Sequence, residues 1–228
     1  MILRHSLPAF VLILFTTFTA PSTAANDLGE RLQACAACHG EKGRSSSEAY
    51  YPSIAGKPSG YLFRQLENFQ TGRRPHAIMR NMLAYLSDDY LQDIARYYAK
   101  QPAAVITGKP EASNERLKLG RQLVMVGDDK RGLPACTTCH ANALQGIRPD
   151  IPGLTGLRAE YLSAQLGAWQ VGTRSAPQPD CMAEIAKKLS GDEIQAIALY
   201  IANQDYAGKP LRGASLPPAL PISCGAVQ

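Results

Sequence analysis

The sequence predicts an all-α protein built from two similar domains in tandem. Three observations support this. The chain of 228 residues has room for two domains of about 100 residues each. Apolar residues recur at helical spacing in both halves, while the alternating β-branched runs typical of strands are absent. The same motifs also return in the second half at a nearly constant offset, which indicates duplication of one domain.

The internal repeat is most regular over residues 51–74 and 151–174, where nine residues of the first half return unchanged 100 positions later. Further on, Leu86–Ser87 returns as Leu189–Ser190, so the offset drifts slightly and small insertions separate the copies. The matched residues of the two halves are Pro52 with Pro152, Gly56 with Gly156, Tyr61 with Tyr161, Leu62 with Leu162, Gln65 with Gln165, Leu66 with Leu166, Gln70 with Gln170, Gly72 with Gly172 and Arg74 with Arg174.

Each half is expected to contain a short series of helices. Serine or acidic residues at the start of several apolar segments are typical helix N-termini, and Asp88 and Asp89 suit the first turn of one of them. The expected helices are one that begins near Asn26 or Asp27, then residues 59–71, 87–100, 114–126, 159–171 and 190–203. The expected organisation is a signal peptide (1–25), domain 1 (26–101), a linker (102–111), domain 2 (112–206) and a Pro-rich tail (207–228).

The N-terminal segment has the pattern of a secretory signal. Arg4 and His5 precede an apolar run over residues 7–18, and small residues then allow cleavage after Ala24 or Ala25. An uncleaved membrane anchor is the alternative, although the run is short for a bilayer span. We therefore expect a periplasmic protein. The net charge of +5 is too small and too scattered to indicate a nucleic-acid partner.

Two CxxCH motifs carry the chemistry, and this motif is the attachment signature of c-type haem. In each motif two thiols bind the haem covalently and the adjoining histidine becomes an axial ligand of the iron. A zinc site is the first alternative, but neither half offers a second ligand pair at suitable spacing. A redox dithiol is the second, and it would not need the histidines. We expect two haem c groups, held by Cys35, Cys38 and His39 and by Cys136, Cys139 and His140.

A methionine opposite each histidine would raise the reduction potential and close the iron to other ligands. Met182 is the candidate in the second half, because Met125 precedes the haem motif there. In the first half Met79 and Met82 compete. Alignment of the two halves on the Leu–Ser pair places Met79 opposite Met182, and Met82 is then expected to pack near the haem.

Other residues near the sites have more than one interpretation. His76 is a rival distal ligand, but the second half has no counterpart, and an exposed loop following Arg73, Arg74 and Pro75 is the simpler interpretation. A proximal histidine needs a hydrogen-bond partner on its other ring nitrogen. The carbonyls of Pro52 and Pro152 are placed alike after the two motifs and are candidates for this role, with plain loop prolines as the alternative.

Cys181 and Cys224 remain once the haem cysteines are set aside. A leftover pair in an exported chain is expected to form a disulfide. It would fasten the residue beside Met182 to the tail. Free thiols, or Cys181 as an alternative iron ligand, are the other possibilities.

These motifs closely resemble the dihaem cytochrome c4 family over almost all of the expected mature chain. The resemblance implies two class I cytochrome c domains with neighbouring haems, and His39 with Met79 and His140 with Met182 as axial ligands. It also supports a role for the carbonyls of Pro52 and Pro152. Cys181 and the tail with Cys224 depart from the family pattern. The stretches that carry the resemblance are CAACHGEKG, YPSIAG, YLFRQLENFQTGRR and LSDDYL in the first half and GLPACTTCHA, IPGLTG, YLSAQLGAWQVGTR and KKLSGDE in the second.

The expected function is transfer of single electrons rather than catalysis. The resemblance implies a carrier that brings electrons to a terminal haem–copper oxidase, with a quinol-oxidising complex or a periplasmic dehydrogenase as the donor. Peripheral association with the membrane is compatible with this role. One alternative is a cytochrome subunit fixed to a dehydrogenase. Another is a dihaem enzyme, such as a peroxidase or a thiosulfate-oxidising cytochrome, which would need an iron with an open position.

Overall fold

The computed structural model describes residues 28–45, 51–103, 108–205 and 219–227. The expected signal peptide, the helix start near Asn26 or Asp27, the middle of the linker and the first part of the tail lie outside the described residues. In residues 219–227 the backbone forms turns and bends, with no helix or strand.

The first half contains helices joined by short turns. A 3-10 turn over Glu41–Gly43 follows the first CxxCH motif. Within the described residues of this half the α-helices are α1 (Leu28–Arg31), α2 (Gln33–His39), α3 (Ser59–Gln70), α4 (Ala77–Leu83) and α5 (Asp88–Lys100).

The second half repeats the arrangement with small additions. Its helices are α6 (Asn114–Met125), α7 (Cys136–His140), α8 (Ala159–Gln170), α9 (Cys181–Lys187) and α10 (Gly191–Ala202). Two short antiparallel ladders join β1 (Gly127–Asp128) to β2 (Leu133–Pro134) and β3 (Gly146–Ile147) to β4 (Ile151–Pro152). Each strand has only two residues, so the expected all-α class is confirmed.

Local sequence signals explain where several helices begin. The hydroxyls of Ser87, Ser113 and Ser190 accept hydrogen bonds from backbone amides in the first turns of α5, α6 and α10. At α10 the Glu193 carboxylate also accepts a hydrogen bond from the Ser190 amide, which completes a capping box. These caps satisfy amides that lack partners inside the helix.

Each half has its own hydrophobic core. The first core is formed by α3 and α5, with Leu91 fully buried at its centre. The second is formed by α6, α8 and α10, with Val124 fully buried. Gly120 allows α6 and α10 to approach closely, because a Cβ at this position would lie 2.1 Å from the carbonyl oxygen of Ala196. The two cores are the framework that holds the haem motifs.

The two halves also contact each other directly. Arg64 of α3 forms a buried ion pair with Asp150, which lies between the two strands of the second ladder. The Lys57 ammonium donates a hydrogen bond to the Gly153 carbonyl at 2.8 Å. The Ser175 amide donates to the Arg73 carbonyl at 2.7 Å. The contact therefore combines a salt bridge with backbone hydrogen bonds.

None of the helices in the described ranges combines the length and the apolar character needed to cross a bilayer.

Candidate functional site

Both CxxCH motifs lie on short helices that end at the motif histidine. His39 is the last residue of α2 and His140 the last residue of α7. The backbone then turns sharply through a residue with positive φ, at 76° for Gly40 and 68° for Ala141. The four motif cysteines are half-buried and form no disulfide. Their thiols are therefore free for attachment of a cofactor.

A proline carbonyl holds each histidine ring. The Nδ1 atom of His39 lies 2.9 Å from the Pro52 carbonyl oxygen, and Nδ1 of His140 lies 2.8 Å from that of Pro152. With Nδ1 donating to a carbonyl, Nε2 carries a lone pair for a metal. Burial lowers the pKa of both histidines. The neutral imidazole, which is the form that binds iron, is therefore favoured.

One continuous cavity of about 700 Å³ joins the two sites. The cysteines and histidines of both motifs line it, together with the methionines that the sequence analysis singled out as axial ligands. Leu62, Leu83, Leu162 and Leu189 contribute to its apolar wall. Met79 also packs against the first core.

Met79 and Met182 lie on α4 and α9, two short helices that the sequence analysis did not predict. His76 caps α4: its Nδ1 atom accepts a hydrogen bond from the Met79 amide at 3.4 Å. Asp180 caps α9 and accepts from the Ala183 amide at 3.0 Å. The expected exposed loop around His76 is thus wrong, since the residue is half-buried at a helix start. Met82 lines the cavity, near the expected haem position, but 41% of its surface is exposed, so it is not a core residue.

The domain contact contains two arginines, the half-buried Arg74 and the buried Arg174, that share their partners. Arg74 donates to the side-chain oxygens of Gln65, at 3.0 Å, and of Gln165, at 2.8 Å. Arg174 donates to Gln65 at 2.7 Å and to Gln165. Arg74 also donates to the Tyr161 hydroxyl at 2.9 Å. We call these four Arg and Gln side chains the Arg–Gln cluster.

Every member of the Arg–Gln cluster is a repeated position of the sequence, but no contact between these residues was predicted. The recurrence of these residues in both halves was the signal in the sequence from which their role could have been recognised. Each arginine also lies over an aromatic ring of its own half, Arg74 over Phe69 at 4.6 Å and Arg174 over Trp169 at 3.7 Å.

The polar groups left without partners fit the two carboxylates of a haem. The Nε1 atom of Trp169 and Nε of Arg174 are buried without a hydrogen-bond acceptor, and both side chains line the cavity. Within the described residues, neither guanidinium of the Arg–Gln cluster forms a salt bridge with a carboxylate. Lys57 lines the same cavity, and desolvation lowers the pKa of its ammonium group to about 8. Buried cations are normally paired, so this region suits an anionic edge of the cofactor.

The expected disulfide is present between Cys181 and Cys224, whose Cα atoms lie 4.9 Å apart. It joins the first residue of α9 to the C-terminal segment (residues 219–227). The Gly225 amide donates to the Pro179 carbonyl at 2.8 Å. Val227 packs against the buried cluster of Ala141, Ile147 and Ile151.

Comparison with known proteins agrees with the architecture. No protein-family model matches the chain. A thiosulfate dehydrogenase electron acceptor from Stutzerimonas stutzeri is 38% identical over 172 residues, which cover 75% of this chain and 78% of that protein. Cytochrome c4 from Pseudomonas aeruginosa is 35% identical over 195 residues, or 83% of this chain and 94% of the relative.

A solved cytochrome c4 structure is also similar to this chain. Reduced recombinant cytochrome c4 from Pseudomonas stutzeri superposes with a TM-score of 0.65 at 34% identity, covering 77% of this chain and 96% of that one. The repeated CxxCH sites, the apolar cavity between them and these similarities over most of both chains lead to one conclusion. The chain belongs to the cytochrome c4 family.

Proposed function

We propose that this chain is a periplasmic electron carrier with two covalently bound haem c groups. Each haem would be held by the two cysteines of one motif, with His39 and Met79 as axial ligands in the first half and His140 and Met182 in the second. One observation carries the proposal. The same arrangement occurs twice, with a histidine fixed by a proline carbonyl and a methionine on the wall of the shared cavity.

The residues around the cavity have separate tasks in this function. Haem iron, when bound, supplies reversible one-electron chemistry. The proline carbonyls orient the histidine rings, and the apolar wall excludes water, which favours a high reduction potential. Met79 and Met182, as the proposed second ligands, would leave no iron position for a substrate. The side chains therefore hold a redox group rather than perform a reaction.

The number of haems is directly testable. The intact mass of protein matured with the cytochrome c assembly machinery should exceed that of the cleaved polypeptide by two haem groups, because each CxxCH motif provides two thiols. Acid–acetone extraction should leave the colour with the protein. A Cys136→Ala/Cys139→Ala variant should carry one haem fewer and serves as the internal standard. A wild-type mass with a single haem would contradict the proposal.

The proposed electron donor is a periplasmic dehydrogenase, with a quinol-oxidising complex as the other candidate. Two relatives are named as electron acceptors of thiosulfate dehydrogenase, which supports the first. The proposed acceptor is a haem–copper oxidase, as the family resemblance implies. The proposed signal peptide would place the chain in the compartment of these partners.

The donor is tested by mixing the oxidised holoprotein with a thiosulfate dehydrogenase and thiosulfate. The visible absorption spectrum should then change to that of the reduced protein. This change should occur only when the dehydrogenase and thiosulfate are both present. A monohaem cytochrome c of similar potential is the control for non-specific reduction. If reduction is no faster than in the control, this donor is wrong. Co-purification of an untagged dehydrogenase with the tagged chain would instead favour a fixed subunit.

A further inference from the structure

The C-terminal segment (residues 219–227) lies against the second haem site, and the disulfide is only one of its attachments. Cys224 fixes it beside Met182, on the methionine side of the site. Three residues further on, Val227 packs against the buried cluster of Ala141, Ile147 and Ile151, against which Cys139 of the CxxCH motif also packs. Leu220, Ile222 and Ala226 of the segment line the cavity. The segment therefore reaches from α9, which carries Met182, to the residues that follow the CxxCH helix α7.

The segment is closely fitted at its centre. A Cβ on Gly225 would lie 2.2 Å from the Gln178 carbonyl oxygen, so that only glycine fits at this position without displacement. The Gly225 amide also donates to the Pro179 carbonyl at 2.8 Å. Residues 222, 224, 225, 226 and 227 are all partly buried. Such contacts indicate a fixed position rather than a tail that trails in solvent.

Among the residues that the structure describes, nothing covers the equivalent surface of the first half. Ile78, directly before Met79, occupies the position that Cys181 holds before Met182. Ile78 is 53% exposed, Met82 is 41% exposed and Tyr85 is 99% exposed. In the second half Cys181 is half-buried and bonded to the segment. The duplicated helices α4 and α9 thus differ in what covers them.

We propose that the C-terminal segment shields the second haem, so that electrons pass between the protein and its surroundings mainly through the first. This rests on the proposed electron-carrier function and goes beyond it. Electron exchange requires close approach of the partner, and a layer of ordered chain over one site increases that distance. The second haem would then exchange electrons chiefly with the first.

Oxidation by hexacyanoferrate(III) tests this shielding without any biological partner. Each ion accepts one electron from the reduced holoprotein and becomes hexacyanoferrate(II), with no bond or proton changed. The test variant ends at residue 218 and carries Cys181→Ser, so that no unpaired thiol remains. Residues 219–228 contain no charged side chain. Their removal therefore leaves the attraction between the basic protein and the anionic oxidant unchanged.

Shortening the chain should accelerate oxidation. If the haems exchange electrons rapidly, the single observed rate should rise about two-fold, because the encounter rates of two accessible sites add. If the haems exchange electrons slowly, the trace should have two phases. The slower phase, from the shielded second haem, should then accelerate, and the faster phase should keep its rate. The weak near-infrared absorption that marks sulfur-to-iron coordination shows whether both proposed methionine ligands are still in place. If that absorption is intact and the oxidation trace is unchanged, the proposal is overturned.

Two glycine variants of full length provide a matched pair. In Gly225→Ala the added methyl group should displace the C-terminal segment from the site, so this variant should be oxidised faster than the wild type. Gly191→Ala makes the same chemical change where a Cβ meets nothing within 4 Å, and it should behave as the wild type. If both oxidise at the wild-type rate, the segment does not control access. A wild-type holoprotein that exchanges no electrons at all would instead contradict the electron-carrier function.

Discussion

Replacement of Met182 by alanine is expected to remove about half of the weak near-infrared absorption that marks sulfur-to-iron coordination, since one of two proposed methionine ligands is lost. Met79→Ala should remove the other half. Each variant should also bind carbon monoxide at one reduced iron, because the vacated position becomes accessible. The wild-type protein should bind none. Absorption spectra of oxidised and reduced holoprotein measure both effects.

Met82→Ala is the control for this pair. Met82 lies one turn beyond Met79 on the same helix and also lines the cavity, but it is partly exposed. Its loss should leave the near-infrared band at full intensity. If Met82→Ala halves the band and Met79→Ala does not, the ligand assignment in the first half is wrong.

Asp150→Ala is expected to destabilise the holoprotein by about 3–5 kcal/mol, because it leaves the Arg64 charge buried without its partner. The side chains are only 13% exposed for Arg64 and 4% exposed for Asp150. The ion pair connects the two halves, so its loss weakens the contact between them. Denaturant unfolding, followed separately by haem absorbance and by helix content, measures the change.

An exposed ion pair provides the comparison. Asp93 pairs with Arg96 on the surface of α5, where both side chains are more than half exposed. Asp93→Ala should cost less than about 1 kcal/mol. The double variant Arg64→Met/Asp150→Leu should recover most of the loss, since no charge then stays buried. An Asp150→Ala variant as stable as Asp93→Ala would show that the pair does not support the domain contact.

Helical periodicity and capping residues predicted the long helices closely. The segment expected over residues 59–71 is α3, and the one expected over 159–171 is α8, each ending one residue earlier. Ser87 and Ser190 cap α5 and α10 rather than forming their first turns. These elements depend on local signals, which a single sequence contains.

The short helices that carry Met79 and Met182 were missed for a physical reason. Each has seven residues, too few for a periodic apolar face and too few to be stable alone. Their formation depends on a capping side chain and on packing against α3 and α8. The disulfide, by contrast, could be predicted because the cysteine count left one pair, and the structure confirms it. The Arg–Gln cluster could not be predicted, since it requires the relative placement of the two halves.

The Arg–Gln cluster has the reciprocity of a twofold-symmetric dimer. Arg74 reaches Gln165 just as Arg174 reaches Gln65, so the two halves present the same patch to each other. A contact of this kind is isologous, and it can form between two copies of one unduplicated domain. Fusion of the two copies then replaces a concentration-dependent association with an intramolecular one. The surface that joins the halves could therefore have existed before the gene was duplicated.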